Sequence, residues 1–475
     1  MSPRIRVTHA RGTAFELPRH IGIINDYLRV PYANGSSFAS QFLYREFMAR
    51  GHDVTVLGPH EPGARSEELP RRRVPFGSLP LHNHPGLFLA LPSREALASA
   101  VQAKLDVVLA QTGSGLLELG VWLRQSAGVP LLCVNTIHMP SVYNVLLPDA
   151  LNGRKEVTEL FDAGIIPRIE RMTASAYNLS DGLVVLSAGL ERYWRARGVT
   201  VPIHVIPRSV QPSMLKSSGK RDPFSPTAAR GGRLLCVCRH TREKSIERLL
   251  RLFAAHIAPI SPEISLTLVG DGPDHDAFVA LARELGVAER VHFPGEYPLA
   301  EVADFYAHAD LFVYASLSET YGQVVSEALW SGLPVVAFED SMGVSQQIDS
   351  GQNGWLIAPG PDAGAADQRF AARVLELLRD ADQRRALGEV AARLAHERSD
   401  PELCIQRYYS AFLSAREHCA RTFSPAGLSA RALPLVRWAT LHTLLAGLGR
   451  VRTPALLNRH GRTQPVWETE TASAA

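Results

Sequence analysis

Glu319 and Glu327 stand eight residues apart in the stretch SLSETYGQVVSEALWSGLPVVAF, residues 316–338. Gly322 breaks the chain between them, a helix start with Ala328 and Leu329 follows, and the apolar run 335–338 closes the stretch. Paired carboxylates that hydrolyse a glycosidic bond stand about 5 Å apart in retaining enzymes and about 6.5–9.5 Å apart in inverting ones. Eight residues of helix span about 12 Å, and any extended portion widens the gap. Such a pair is better suited to holding two parts of one elongated ligand. Each carboxylate would accept hydrogen bonds from hydroxyl groups, worth roughly 1.5–3 kcal/mol apiece. Without a ligand the same residues read as a loop glutamate and a surface-helix glutamate.

A second cluster is cationic. LLCVCRHTREKSIERLL (234–250) reads as strand, loop and helix, with Arg239 at the strand end and Lys244 just before a helix that Ser245 would cap. Cations beside a helix N-terminus make an anion site, because free N–H groups and the helix dipole already point there. A diphosphate fits; a solvated basic loop is the plain alternative. The run 266–273, LTLVGDGP, reads as a buried strand ending in a turn whose Gly270 and Gly272 let a ligand approach the backbone, or merely make the turn tight.

The elements that must position these residues alternate. Short apolar runs such as 21–24, 54–57, 107–109, 183–186, 234–237, 266–269 and 311–314 are separated by helix-like segments, which predicts parallel sheets covered on both faces. The Pro-, Ser- and Gly-rich stretch 211–232 reads as a linker. The expected organisation is an N-terminal extension (1–19), a Rossmann-like acceptor domain (20–210), the linker, a Rossmann-like nucleotide-sugar domain (233–400), a helix returning to the first domain (401–419) and a basic tail (420–475), partly disordered. Two doubly wound α/β domains would face a cleft, the natural place for a site.

Taken together, Arg239 with Lys244, the 270–273 turn, 291–295, and Glu319-x7-Glu327 followed by Gly332-Leu333-Pro334-Val335-Val336 resemble retaining glycosyltransferase family 4, of GT-B fold. The resemblance is strong over about residues 233–360. It implies transfer from a nucleotide-sugar with retention at the anomeric carbon. It also implies that Arg239 and Lys244 stabilise the leaving diphosphate, without a metal or other cofactor. Glu319 would lie by the donor sugar and Glu327 hold the ribose, while N–H groups of Thr320, Tyr321, Gly322 and Gln323 add contacts. More loosely, IGIINDYLRVPYANGSS (21–37) resembles the family's opening strand and glycine loop, with Gly35 near the diphosphate and Asn34 and Ser36 beside it. In VNTIHMPSVYNVL (134–146), Thr136 and His138 match a Thr-x-His segment, which implies His138 at the acceptor side. Two departures stand out: Cys238 precedes Arg239 where the family often has Gly, and Ser345 and Gln346 occupy the Pro and Glu positions of a Gly-Gly-x-Pro-Glu segment. Within the family, 25–37 and 135–146 look closest to the diacylglycerol glucosyltransferase branch, which implies a lipid acceptor; a saccharide is the alternative.

Bulk properties agree with an enzyme. The 475 residues exceed one core, 46 % are hydrophobic and 20 % charged, and a net charge of +3 argues against a nucleic-acid partner. The five cysteines form no framework and no metal set, as expected of a reducing compartment. No secretory signal or spanning helix is evident, so a cytoplasmic location is expected, with peripheral membrane contact open. Residues 420–462 hold seven arginines and no acid. With Trp438 and the leucines they would lie on an anionic bilayer, although Arg437 and Pro434 interrupt the pattern and packing on the first domain is equally compatible. Arg71–Arg73 reads as a solvated loop. A dinucleotide oxidoreductase is disfavoured because no Gly-x-Gly-x-x-Gly follows the first strand. A non-catalytic sugar-binding module on the same scaffold is the remaining rival.

Overall fold

The computed structural model of the chain describes residues 6–8, 14–29, 35–82, 87–136, 138, 154–211, 215, 222–228, 231–317 and 319–450. Asn34, half of the linker, residues 139–146 and the final TETASAA lie outside the described residues. The chain divides into two compact units. One takes the chain up to Ile206 and again from Cys404, and the other runs from Pro207 to Leu403.

The first unit is built on seven parallel strands: β1 (His20–Asn25), β2 (Asp53–Pro59), β3 (Arg72–Phe76), β4 (Val107–Gln111), β5 (Leu131–Val134), β6 (Gly182–Val185) and β7 (Ile203–Val205). Their spatial order is β7-β6-β5-β4-β1-β2-β3. The central strands are apolar on both faces, and Ile21, Ile23, Ile24 and all of Val107, Val108, Leu109 and Ala110 are buried. That is why they read as unbroken apolar runs rather than alternating ones. Helix α1 (Gly35–Ala49) covers one face with Phe42, Leu43 and Phe47. At the edge, Arg72 and Arg73 belong to β3 and not to a loop. Val74 and Phe76 point inward from the same strand, and Arg72 pairs with Asp53 of β2 at 3.0 Å. A charged edge of this kind discourages pairing with foreign strands.

The second unit has six parallel strands: β8 (Arg233–Val237), β9 (Ser265–Val269), β10 (Val291–Gly295), β11 (Leu311–Tyr314), β12 (Val335–Phe338) and β13 (Gly354–Ile357), in the order β10-β9-β8-β11-β12-β13. Strand order reverses once in each sheet, between β1 and β4 and between β8 and β11. Loops leaving the carboxyl ends of two such strands diverge to opposite faces and leave a crevice. In the second unit, the functional loops are followed or flanked by helices α3 (Ile246–Leu252), α4 (Leu299–His308) and α5 (Gln323–Trp330).

Helix α6 (Pro401–Thr422) begins in the second unit, but its body belongs to the first, where Ile405, Tyr408, Tyr409 and Phe412 join the core around Phe47. The Tyr409 hydroxyl meets His52 Nε2 at 2.7 Å. Helix α7 (Leu428–Leu448) packs on α2 (Leu117–Ala127). Trp438 does not face outward as a lipid anchor would. It is fully buried, edge-on to Phe76 at 5.3 Å. Arg437, expected to interrupt the apolar face, is held by Glu118 at 2.8 Å. Among the described residues no helix is long and apolar enough to cross a membrane.

Candidate active site

Strands β8 and β11 are neighbours, with Leu234 opposite Leu311, so the loops that follow them start side by side. The loop after β8 carries Arg239 and then a single 3-10 turn, Arg242–Lys244. The loop after β11 carries Ser316 and Glu319. Lys244 Nζ donates to Glu319 Oε1 at 2.5 Å, and the Tyr314 hydroxyl (2.7 Å) and Ser316 Oγ (3.0 Å) donate to the same oxygen. Burial pushes the Glu319 carboxyl up, but Lys244 and the two hydroxyl donors outweigh it and leave the carboxyl below its ordinary value. Burial likewise works against charge on Lys244, and the Glu319 carboxylate outweighs it, keeping the ammonium above its ordinary value. The pair is therefore ionised, in a part-buried setting at the topological switch point.

Ser245 occupies the residue before α3 but does not cap it with its side chain. Its backbone is left-handed (φ 55°), whereas a capping serine is extended. Arg239 is exposed, between buried Cys238 and His240. The backbone of this segment lies against the 270–273 turn: Cys238 N donates to Val269 O at 3.0 Å and His240 N to Asp271 O at 2.9 Å. Close packing accounts for both glycines there. A Cβ on Gly270 (φ 133°) would fall 2.0 Å from Cys238 O, and one on Gly272 would fall 2.4 Å from His240 O. The glycines thus seat the strand end that bears Arg239, a reason for their presence that needs no ligand.

Gly322 precedes α5 in the left-handed region (φ 79°), which turns the chain from the Glu319 loop into the helix. Thr320 is half-buried. The Tyr321 side chain is buried and its hydroxyl donates to Arg208 O at 3.1 Å, so this tyrosine ties the turn to its own unit. Two residues that the sequence did not point to hold the turn from behind. A Cβ on Gly343 would lie 2.4 Å from the Tyr321 Cα. Gln347 Nε2 donates to the carbonyls of Tyr321, Gly322 and Gly343. Ser345 is internal as well, donating to Asp340 at 2.8 Å, while Gln346 is exposed. On α5, Glu327 is buried and accepts from the Tyr306 hydroxyl of α4 at 3.0 Å. Burial pushes its carboxyl up to about 7, against hydrogen bonds from Tyr306 and Gln323.

In the first unit Gly35 is the first residue of α1 rather than part of a loop, and Ser36 lies within that helix. His138 follows β5, buried and edge-on to Tyr193 at 4.9 Å. Burial, then the Arg197 guanidinium, push its imidazole down to about 4, so it is neutral at pH 7 and a poor general base. At the switch point of this unit, Asp26 after β1 gathers the loop after β4. It accepts from Thr112 Oγ1 (2.6 Å), Ser114 Oγ (2.6 Å) and Gly113 N (3.2 Å). His442 of α7 reaches Ser114 Oγ at 3.2 Å. These contacts join residues 88 and 328 positions apart, so no local pattern announces them.

Comparison with known proteins agrees with this fold. The family "Glycosyl transferase 4-like domain" matches residues 34–209 and "Glycosyl transferases group 1" matches residues 223–394. With two Rossmann-like units and matches to both halves, the chain belongs to the glycosyltransferases of GT-B fold. Alpha-monoglucosyldiacylglycerol synthase of Streptococcus pneumoniae is 26 % identical over 67 % of this chain and 70 % of that protein. A GDP-mannose-dependent alpha-mannosyltransferase of Mycobacterium tuberculosis is 28 % identical over 79 % of this chain and 92 % of that protein. N-acetyl-alpha-D-glucosaminyl L-malate synthase of Bacillus anthracis is 29 % identical over 37 % of this chain, a match that spans 43 % of that protein. Among solved structures, Anabaena HepE in complex with UDP superposes with a TM-score of 0.62 at 19 % identity, over 83 % of this chain and 100 % of that one. That last likeness is one of fold.

Proposed function

We propose that this chain is a retaining hexosyltransferase that moves a hexose from a nucleotide-sugar to a lipid acceptor at a membrane surface. The observation that carries the reading is the ionised Lys244–Glu319 pair at the β8/β11 switch point, with Glu327 on the helix that leaves the same loop. A nucleoside diphosphate sugar is elongated, with hydroxyls at both ends and charge in the middle. Glu327 takes the ribose hydroxyls and Glu319 lies by the sugar. Arg239, Lys244 and the N–H groups of Thr320–Gln323 face the diphosphate.

Cleavage of the anomeric bond puts negative charge on the diphosphate and positive charge on the sugar ring. Fixed cations already aimed at the leaving group stabilise that charge without reorganisation. The acceptor hydroxyl attacks from the face the diphosphate leaves, its oxygen bonding to the anomeric carbon while its proton passes to a departing phosphate oxygen. His138, neutral and buried, orients the reactants and takes no proton. The donor is a substrate and no resident metal is needed, so turnover is expected to survive chelation with EDTA. A lipid acceptor is supported by the short segments 25–37 and 135–146 and by relatives named alpha-monoglucosyldiacylglycerol synthase in Streptococcus pneumoniae and Acholeplasma laidlawii.

The test is to incubate the chain with UDP-, GDP- and ADP-hexoses and diacylglycerol, then follow nucleoside diphosphate release and the anomeric configuration of the product by NMR. An α-linked product from an α-linked donor is expected. A β-linked product, or no release from any donor, would overturn the reading.

A further inference from the structure

Helix α7 carries apolar residues on every side, and a helix of that kind is covered all round by protein or lies against lipid. One side is accounted for: Trp438, His442 and Ala446 are buried against the first unit. The other is not. Leu433, Val436, Leu441 and Leu444 are 52, 59, 43 and 60 % exposed. At about 100° per residue Leu433, Val436 and Leu444 fall on the half of the helix opposite Trp438, interleaved with exposed Thr440 and Thr443, whereas Leu441 flanks the buried side near Gly115. That half carries no acid and no lysine, and Arg437 at its margin is already engaged by Glu118.

We propose that the Leu433–Val436–Leu444 face of α7 docks on an anionic lipid bilayer, with the helix axis lying in the plane of the interface. The proposal deepens the lipid-acceptor reading above and names the surface that would meet the membrane. Charge selects the bilayer over a second copy of the chain. Residues 420–462 hold seven arginines and no acid, and among the described residues Arg421 and Arg450 are exposed before and after the helix. Two copies paired through this face would bring like charges together, whereas anionic headgroups complement them. An apolar face a few ångströms deep with basic flanks is the pattern of an interfacial helix rather than a spanning one.

The experiment uses the full chain with vesicles of phosphatidylcholine alone and of phosphatidylcholine with phosphatidylglycerol, read by co-sedimentation, with light scattering of the free protein alongside. The wild type is expected to bind the anionic vesicles, less so in 0.5 M salt. The double variant Val436→Asp with Leu444→Asp, both on exposed positions, is expected to lose roughly tenfold or more in partitioning. Its thermal unfolding and nucleoside diphosphate binding are expected to stay at the wild-type level. Wild-type protein that stays in the supernatant with anionic vesicles would overturn the proposal. So would a variant that sediments equally, or a dimer of the free protein that the variant dissociates. Vesicle binding is read without turnover: loss of nucleotide binding alone would undo the functional reading and leave the docking face standing.

Discussion

At the scale of single residues, Glu327 has a measurable signature. Between the ordinary carboxyl value of 4.5 and about 7 the folded chain keeps a proton that the unfolded chain has released. Stability therefore falls as pH rises through that window, by about 3 kcal/mol. Glu327→Gln is expected to remove most of that fall, seen as urea midpoints that change less between pH 5 and pH 7.5. Identical pH dependence in both proteins would contradict the placement of a buried proton there. Ribose hydroxyls donate best to the ionised carboxylate, so nucleotide affinity is expected to rise as pH passes 7. Lys244 bears on both stability and turnover. Replacing it by alanine removes a diphosphate cation and strands the Glu319 carboxylate, which is 12 % exposed. A fall in kcat of roughly a hundredfold or more is expected, with a lowered unfolding midpoint because a buried charge loses its partner. Steady-state kinetics with kcat within twofold of wild type would remove Lys244 from the mechanism.

At the scale of elements, the turns matter more than the strands. Gly270→Ala places a methyl group 2.0 Å from Cys238 O, a backbone atom that cannot rotate away. A loss of about 1–3 kcal/mol is expected, together with weaker diphosphate binding, because the displaced segment bears Arg239. Equal stability by urea titration would show that the turn can shift at no cost. Local pattern marked Arg239 and Lys244 as candidates because they lie between a strand end and a helix start, and Glu319 and Glu327 because they flank the turn at Gly322. The sheets were legible for the same reason: buried parallel strands are unbroken apolar runs. What escaped has its partner far along the chain. Gln347 braces a turn 25 residues earlier, and Asp26, Ser114 and His442 meet only after the sheet and α7 are in place. Ser245 misled because its residue type suits a cap while its left-handed backbone does not.

At the scale of the whole molecule, the chain leaves the first unit, builds the second and returns through α6. Phe412 on that helix is fully buried in the first unit's core with Phe47 at 5.6 Å between ring centroids. Phe412→Ala is expected to destabilise the first unit by about 3–5 kcal/mol. At temperatures where the variant remains folded, calorimetric titration is expected to give an unchanged affinity for nucleoside diphosphate, since every nucleotide contact proposed above except that of Gly35 lies in the second unit. A matching loss of affinity would mean that the nucleotide site is shared more evenly than the functional reading holds. The most direct measurement is a crystal soaked with UDP, GDP or ADP. The account requires the diphosphate beside Lys244 and Arg239, with ribose hydroxyls about 2.6–3.2 Å from the Glu327 carboxylate. A nucleotide bound away from the β8/β11 loops, or with its ribose turned from Glu327, would contradict it.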